Sequence, residues 1–549
     1  MMKRAWVWSA APLAALLMVG TVQADNQQSA EELRNTLVNL LETLVQKGII
    51  TREQANAMVA DAQAKAQAEA AKRSAQEVAE KDAVRVPYVP QTVREELGKE
   101  IGAQLREQVT RDVITQAKEE RWGVPGALPD WVNAIQFFGD VRVRGEEDNY
   151  AKNNATDTYL NYNTVNADGG IDKAGLNALL NTTADRTLMF GRLRFGVDAR
   201  LGNDFTADVR LASGSTSPVS ANQELGTYGE RWFIGVDRAA LLWNPYFADG
   251  SQELDLRFGR FANPFVTYNE LVWDVDVDFE GLSATYALHL FDDGYGSPSR
   301  TVFFTAGAFP LQSVGQYNSV WSSVDSKWLY AAQLGGELPY GDNDEHRVRL
   351  TAAFFDFVNI TGVINPPNST IEDFTAPTYM QKGNTVFDIA NSSDPTVNLF
   401  ALAGKYREAN VNVLWDVAGW GENRVLLGAD YVKNLAWKEQ EVYELTGQMI
   451  RPRTVGWEVG VDVGRTTLTA AGQWRAYLSY KTLQRDAVVD AFTDSDFHLG
   501  GTDARGYIVG FDLGLSKGAG LRVRYLSANA IDGPPLGIDV LQLDLLGQF

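Results

Sequence analysis

The stretch IDVLQLDLLGQF, from Ile538 to Phe549, alternates regularly between apolar and polar side chains. The apolar ones share one face of an extended chain, and they are Leu541, Leu543, Leu545 and Phe549. Because neighbouring side chains of a strand point to opposite faces, this pattern predicts a strand with one apolar and one polar side. A soluble sheet would leave such a strand as an exposed edge. A closed membrane barrel would pair it with the first strand and place the final aromatic ring at the membrane interface.

The same two-residue period recurs along the chain from about residue 135. Val141 and Val143, for example, alternate with Arg142 and Arg144. We predict sixteen strands, which begin near residues 135, 187, 205, 231, 253, 279, 300, 327, 346, 409, 424, 455, 470, 504, 519 and 538. A soluble sandwich could also alternate, but it would hold fewer strands and turn its polar face outward.

The connections between these strands alternate in length. Short turns such as 202–204 are followed by long polar segments such as 148–185. Outer-membrane barrels show this alternation, with the turns in the periplasm and the loops outside. The sequence therefore predicts an all-β transmembrane antiparallel barrel of about 16 strands with an aqueous lumen. Between residues 359 and 409 the assignment stays open, because 399–403 could be a strand or part of a long loop.

The segment before residue 135 differs from the rest in composition and period. Residues 1–24 combine a charged start, an apolar run and a small-residue cleavage pattern, which is typical of a signal peptide. Residues 25–120 have a helical period and an alanine seam, which predict a periplasmic helical segment. That segment is either a solvated spacer or a self-associating coiled coil. Residues 121–134 form a Pro/Gly-rich linker, and 135–549 form the barrel.

Composition excludes several classes of protein. The 549 residues contain no cysteine, so neither a disulfide framework nor a thiolate metal site is available. The three histidines, His289, His346 and His498, are too scattered for a histidine metal centre. A net charge of −21 argues against a nucleic-acid partner. We therefore expect no metal and no cofactor. We do not expect an enzyme either, because His289 and His346 lie near predicted periplasmic turns and His498 lies in a polar loop, where none is placed as a catalytic base.

Several stretches resemble the bacterial putative porin family. They are RWGVPGALPDW (121–131), FFGDVRVRGE (137–146), FGRFANPF (258–265), LVWDVDVDFEGL (271–282) and KGNTVFD (382–388). With the helical N-terminal region, the resemblance covers essentially the whole mature chain. It implies an outer-membrane channel and a homotrimer, and it leaves the substrate open.

The charges on the predicted inner face form two groups. The basic group comes from the first five strands and comprises Arg142, Arg144, Arg192, Arg194, Arg210 and Arg257. The acidic group follows at spacing two and comprises Asp274, Asp276, Asp278 and Glu280. One interpretation is a constriction with a basic wall and an acidic side opposite, which would create a transverse field and bias the choice of ions. The other is that these residues pair with each other and hold the wall rigid.

The loop TDSDFHLGGTD contains Asp494, Asp496 and Asp503. These residues lack the spacing and the terminal glutamate of the known calcium loop. We expect them to form a solvated tip that contacts cations bound to lipopolysaccharide. His498 lies in this loop, which we expect to be too polar and glycine-rich to hold a preorganised site.

The main hypothesis is an outer-membrane porin through which small hydrophilic solutes and ions diffuse passively. One alternative is a substrate-selective channel in which the basic group forms an anion-binding ladder. A second alternative is a structural role, in which the helical segment tethers the membrane to peptidoglycan. Phe549, Leu545 and Leu543 resemble the signal by which the barrel-assembly machinery recognises its substrates.

Overall fold

We analysed a computed structural model of the chain. It describes residues 134–549, apart from 246, 248–250, 292–297, 316–320 and 342–344, together with the isolated positions Ala60 and Ala64. The predicted signal peptide, the helical segment and nearly all of the linker lie outside the described residues. Within the described part, no helix is long and apolar enough to cross a membrane.

Sixteen long strands follow one another along the described chain. They are β1 (Ile135–Tyr150), β2 (Arg186–Arg200), β3 (Phe205–Ser213), β4 (Ile234–Trp243), β5 (Gln252–Ala262), β6 (Asp278–Phe291), β7 (Pro298–Gln312), β8 (Lys327–Tyr340), β9 (His346–Val358), β10 (Tyr406–Ala418), β11 (Arg424–Asn434), β12 (Val455–Gly464), β13 (Trp474–Leu483), β14 (Ala504–Ser516), β15 (Ala519–Ala530) and β16 (Gly537–Gln548). The largest departure from the predicted starts is at β13, which begins at Trp474 instead of near residue 470.

The strands form a closed antiparallel barrel. Each strand pairs with its neighbours in sequence, and β1 closes the ring by pairing with β16 as well as with β2. Phe549 extends this seam, because its N–H donates to the Gly139 carbonyl and its carbonyl accepts from the Gly139 N–H, both at 3.1 Å. The predicted barrel and its strand number are confirmed.

The outer face of the barrel is apolar and the inner face is mostly polar. On β16, Leu543 and Leu545 are half exposed, whereas Gln542 and Asp544 are buried. On β1, Val141 and Val143 are exposed in the same way and alternate with buried charged residues. This inside-out distribution is what lipid outside and a polar lumen inside require.

The two ends of the barrel differ in the length of the connections between strands. Short connections such as 201–204 and 517–518 lie at the end from which β1 starts, which we call the turn end. The opposite loop end carries long connections, including loops 263–277, 359–405 and 484–503. Segment 399–403, whose assignment was open, lies in a loop, where Phe400–Leu402 pairs with Val386–Asp388.

The loops also contain short helices and, besides the pair Val386–Asp388 and Phe400–Leu402, one further small strand. The α-helices are Tyr162–Asp168, Ile171–Ala174 and Glu439–Thr446, and the 3₁₀ helices are Gly175–Ala178, Asp373–Thr375, Asp490–Phe492 and Phe497–Leu499. The two-residue strand Gln223–Glu224 pairs with β2.

An apolar core fills one side of the lumen. Inward-facing residues of the wall, including Phe309, Leu329 and Phe355, pack against loop residues such as Leu271 and Trp273. The rings of Trp273 and Phe355 lie 5.2 Å apart, edge to face. Because loops and wall bury apolar surface together here, the loops are held inside the barrel and the polar passage is confined to the other side.

Candidate functional site: a charged passage beside the apolar core

Loop 263–277 runs across the inside of the barrel. Near its start, the backbone of Val266 exchanges hydrogen bonds with the Gln333 amide of β8, both at 2.8 Å. Further along, Asn269 Nδ2 donates to Glu458 Oε1 of β12 at 2.7 Å. Tyr268 packs directly on Gly428, where any larger residue would collide with its ring. The loop therefore crosses to the far wall and returns to β6 as an acidic segment.

Asp276 brings this acidic segment to the basic wall of β1 and β2. Asp276 Oδ1 lies 3.0 Å from Arg194 Nη1 and 3.6 Å from Arg192 Nη1. The same two arginines also pair with Asp140, at 2.6 Å for Arg194 and 2.8 Å for Arg192. Two carboxylates and two guanidinium groups thus form a closed ring of ion pairs.

Asp278 and Glu280 pair with arginines further round the wall. Asp278 binds Arg210 and Arg238, each at 3.0 Å, and Glu280 binds Arg260 at 2.9 Å. Arg238 and Arg260 were not among the residues predicted from the sequence. Arg238 lies beside the point where the β3–β4 register shifts by one residue, so a strict two-residue period does not show which way it faces.

Arg144 anchors a second loop at the barrel seam. It is fully buried, and its guanidinium lies 2.7 Å from Asp544 and 2.9 Å from Asp496. Arg524 approaches Asp496 at 3.3 Å. Burial alone would raise the pKa of Asp496, but the charges of Arg144 and Arg524 hold it well below its usual range.

Arg142 differs from its neighbours in its partners. Its guanidinium donates to the side-chain Oδ1 of Asn222 and lies 4.0 Å from Asp544. Its Nε has no hydrogen-bond partner among the described residues. Arg142 therefore offers a less fully compensated positive charge to the lumen than Arg144 does.

Two predicted members lie apart from these ion pairs. Arg257 pairs with Asp255 on its own strand at 2.5 Å. Asp274 instead accepts backbone hydrogen bonds from Asp276 at 2.8 Å and Ser495 at 2.9 Å. The structure thus brings Asp276, Asp278 and Glu280 to the arginines and separates Asp274 from them.

Asp274 belongs to an acidic cluster with Glu270 and Asp494. Burial, together with the neighbouring carboxylates, raises the pKa of Asp274 well above its ordinary value and that of Glu270 to about 7. The cluster already has a cation, because the Lys481 ammonium lies 2.9 Å from Asp494. Its oxygens also accept backbone hydrogen bonds, so we do not assign a metal site to it.

The prediction of a solvated tip at TDSDFHLGGTD is wrong. Asp494, Asp503 and His498 are buried, because loop 484–503 folds into the lumen and its charges find partners there. His498 Nδ1 lies 2.8 Å from the Lys382 ammonium and its Nε2 lies 3.0 Å from the Leu536 carbonyl oxygen. His498 is therefore held by hydrogen bonds on both ring nitrogens.

Two polar cavities adjoin these ion pairs. The lower chamber, of about 620 Å³, is lined by Arg142, Arg192 and Arg194 and reaches Gln548 near the turn end. The upper chamber, of about 330 Å³, is lined by Arg210, Arg260 and loop 215–221. Ser220 and Asp276 belong to the walls of both chambers. The two chambers therefore lie next to each other at Asp276, a member of the ring of ion pairs.

A family model described as putative porin matches residues 34–549. The chain belongs to this family. It is an outer-membrane barrel that forms a diffusion channel, and its family and fold are those of a channel rather than of an enzyme. Comparison with curated proteins gives no match.

Three of the solved structures with a similar fold are of proteins from Pseudomonas putida, Acinetobacter baumannii and Salmonella typhi. The high-pH structure of Pseudomonas putida OprB has 11% identity and a TM-score of 0.42, and the match covers 78% of this chain and 97% of that one. The outer membrane channel DcaP of Acinetobacter baumannii has 13% identity and a TM-score of 0.35, and the match covers 76% of this chain and 97% of that one. Salmonella typhi OmpF in complex with daunomycin has 11% identity and a TM-score of 0.37, and the match covers 76% of this chain and 97% of that one. Because these likenesses are remote, the family assignment rests on the family model.

Proposed function

We propose that this porin passes small hydrophilic solutes and ions through the arginine-lined side of its lumen, from the upper chamber to the lower chamber. The observation that carries the proposal is that two polar chambers lie next to each other and share Ser220 and Asp276 in their walls, while an apolar core occupies another part of the lumen. Passive diffusion needs no cofactor and no turnover. Its selectivity follows from the width of the passage and the charge along it.

In this proposal the ring of ion pairs is the constriction. Asp276 holds loop 263–277 against β2 through Arg192 and Arg194, so the ion pairs fix the width of the passage. Arg142 supplies positive charge next to this ring. Pairing and constriction are then two aspects of one arrangement, because the paired groups hold the wall and the incompletely compensated ones create the field.

Replacing Arg142 tests the role of this field. We expect Arg142→Gln to raise the cation-to-anion permeability ratio at least about twofold, because one positive charge at a low-dielectric wall shifts the local potential by an amount on the order of kT. The measurement is the reversal potential of the purified protein in planar bilayers with a salt gradient. Arg505→Gln is the matched control, since Arg505 lies on the exposed outer face of β14.

Two outcomes would contradict the proposal. A correctly folded wild-type protein that forms no conducting pore would refute the channel function. Equal reversal potentials for Arg142→Gln and Arg505→Gln would remove Arg142 from the constriction.

The alternative of an anion-selective channel keeps one supporting observation, the incompletely paired guanidinium of Arg142. Current that saturates with one anion but rises linearly with others would favour it. Current that rises linearly with every salt would count against it.

We further propose the cellular arrangement that the sequence predicts. Residues 1–24 are a cleaved signal peptide, the turn end faces the periplasm with the helical segment 25–120, and the barrel assembles as a homotrimer among lipid and lipopolysaccharide. Cross-linking of the purified protein tests the trimer. Deleting residues 25–120 and measuring envelope integrity separately from permeability tests the tether to peptidoglycan, which fails if integrity is unaffected.

A further inference from the structure

A third cavity, which we call the side pocket, lies at the loop end of the lumen against the apolar core. Its volume is about 420 Å³, within the usual range for small-molecule sites. Most of its wall is apolar and includes Phe279, Phe309, Leu311, Leu329, Ile360 and Phe492. Such walls are unlike the two polar chambers and suit an apolar ligand body.

Most of the charges that line the side pocket are already compensated. Arg260 and Glu280 pair with each other at 2.9 Å. Asp278 is held by two arginines. Lys327 and Asp490 are the remaining charged residues in the wall of the side pocket.

Lys327 places a positive charge in this apolar wall without a counter-ion. Its side chain is about 3% exposed, and its ammonium donates to Gln312 Oε1 at 2.8 Å and to the Ala376 carbonyl oxygen at 2.9 Å. Both acceptors are neutral, and no described carboxylate pairs with Lys327. The undescribed stretch 316–320, in the loop that precedes β8, reads QYNSV and contains no acidic residue. A buried cation of this kind favours an anionic partner, because its burial is otherwise unfavourable.

Asp490 does not provide that partner. Its carboxyl oxygens are fully covered by protein. Burial raises the pKa of Asp490 to about 7, so the group is largely protonated in mildly acidic solution. In that range Lys327 supplies the uncompensated charge of the side pocket.

We propose that the side pocket binds small amphiphilic monocarboxylates, of a size between benzoate and 3-phenylpropanoate. The ring would pack among Phe279, Phe309 and Leu329, and the carboxylate would accept hydrogen bonds from the Lys327 ammonium. A dianion such as phosphate fits less well, because a single ammonium leaves its second charge uncompensated in an apolar wall.

The side pocket opens beside the proposed passage. Arg260 and Glu280 line both the side pocket and the upper chamber, so the two cavities are neighbours, and the proposed ligand would enter from the channel past this ion pair. The inference rests on the proposed function only for this route of access, and its test measures binding directly.

Calorimetric titration of the purified full-length protein at pH 6 tests the site. We expect saturable binding of benzoate, and binding at least about tenfold weaker for its neutral isostere benzamide, which cannot form the charged hydrogen bond. Lys327→Met should weaken benzoate binding by a similar factor. Lys433→Met is the matched control, because Lys433 lies on the exposed outer face of β11.

Equal binding of benzoate and benzamide, tighter binding of benzylamine, or unchanged affinity of Lys327→Met would overturn the proposal. Should Lys327→Met fail to fold, Leu311→Trp provides a second test, because it narrows the pocket and should abolish benzoate binding while Lys327 stays intact. Retained binding in Leu311→Trp would equally overturn the site. A channel that conducts but does not bind benzoate defeats this inference alone, whereas a protein that does not conduct defeats the proposed function.

Discussion

Arg144 and Asp544 are two fully buried charges that meet where the barrel closes. They are direct partners in the register of β1 and β16, and two parallel hydrogen bonds of 2.7 and 3.1 Å join them. A bidentate pair of this geometry compensates much of the cost of burying both charges. The seam of the barrel is therefore held by side chains as well as by the backbone ladder.

Glu270 gives the acidic cluster a pH dependence. Burial and the nearby Asp494 raise its pKa to about 7. The folded protein therefore retains a proton that the unfolded chain loses near its ordinary pKa of about 4.5. The resulting stabilisation is fully present below about pH 4.5 and is lost as the pH rises through 7. We expect loop 263–277 to exchange amide hydrogens faster at pH 8 than at pH 6, after correction for intrinsic exchange rates.

The control for this prediction is Glu270→Gln, which keeps the shape of the side chain and removes the titration. Its loop should show a clearly smaller difference between pH 6 and pH 8, with a remainder from Asp274, whose pKa is also raised. An unchanged difference would show that Glu270 is not responsible.

Which residues face the lumen was predictable, but their partners were not. The two-residue period places Asp140, Arg142 and Arg144 on one face, and the structure has them all buried inside. Asp544 is 400 residues away from Arg144, and Asp496 comes from a loop. Loop 484–503 has a polar composition that is typical of an exposed tip. It is buried because the lumen provides countercharges, which local composition does not show.

One strand departs from the two-residue period, and this departure indicates the apolar core. In β9 the regular alternation gives way to Phe354–Phe355, with Phe354 exposed outside and Phe355 fully buried inside. A strand that is apolar on both faces indicates an apolar layer on its inner side as well. An inner face that is polar throughout, as the alternation of the other strands predicts, does not account for this core. The strands were predictable because their pattern is local, whereas the inward fold of the loops depends on contacts between distant segments.

Phe549, which follows β16 at the seam with β1, leads to a prediction about assembly. Phe549 pairs with Gly139 through its backbone, and its ring lies 6.4 Å from that of Phe195 on the outer face. We expect deletion of Phe549 to reduce the amount of assembled barrel in the outer membrane several-fold. Pores that do form should conduct normally, because Phe549 lies outside the lumen. Membrane fractionation and single-channel recording measure the two quantities.

Phe195→Ala is the matched control for this deletion. It removes the ring contact but leaves the proposed recognition signal of Phe549, Leu545 and Leu543 in place. An equal loss of assembled barrel in both variants would indicate that only the contact between the two rings matters. A normal amount of the deletion variant in the outer membrane would refute the prediction.

Across the whole barrel, the lumen has one apolar side and one charged side. On one side, aromatic residues of the wall and residues of four inward loops form a core like that of a soluble protein. On the other side, arginines and carboxylates line the two chambers. The core thus determines how far the loops reach into the barrel, and the charges act on the space that remains. Permeability should therefore be sensitive to residues that no solute touches.

Trp273 allows this idea to be tested. It packs against Phe279 at 4.9 Å and Phe355 at 5.2 Å, and it lies in the loop that carries Asp276. Replacing a buried tryptophan by alanine costs about 3–5 kcal/mol. The cost falls on loop packing and leaves the backbone ladder of the barrel intact. We expect Trp273→Ala to give larger and noisier single-channel currents, with the heat-dependent gel mobility of the barrel unchanged. Trp321→Ala is the control, because Trp321 is 72% exposed in a loop. If Trp273→Ala conducts like the wild type, the core does not set the width of the passage, and the polar contacts of loop 263–277 are sufficient to hold it in place.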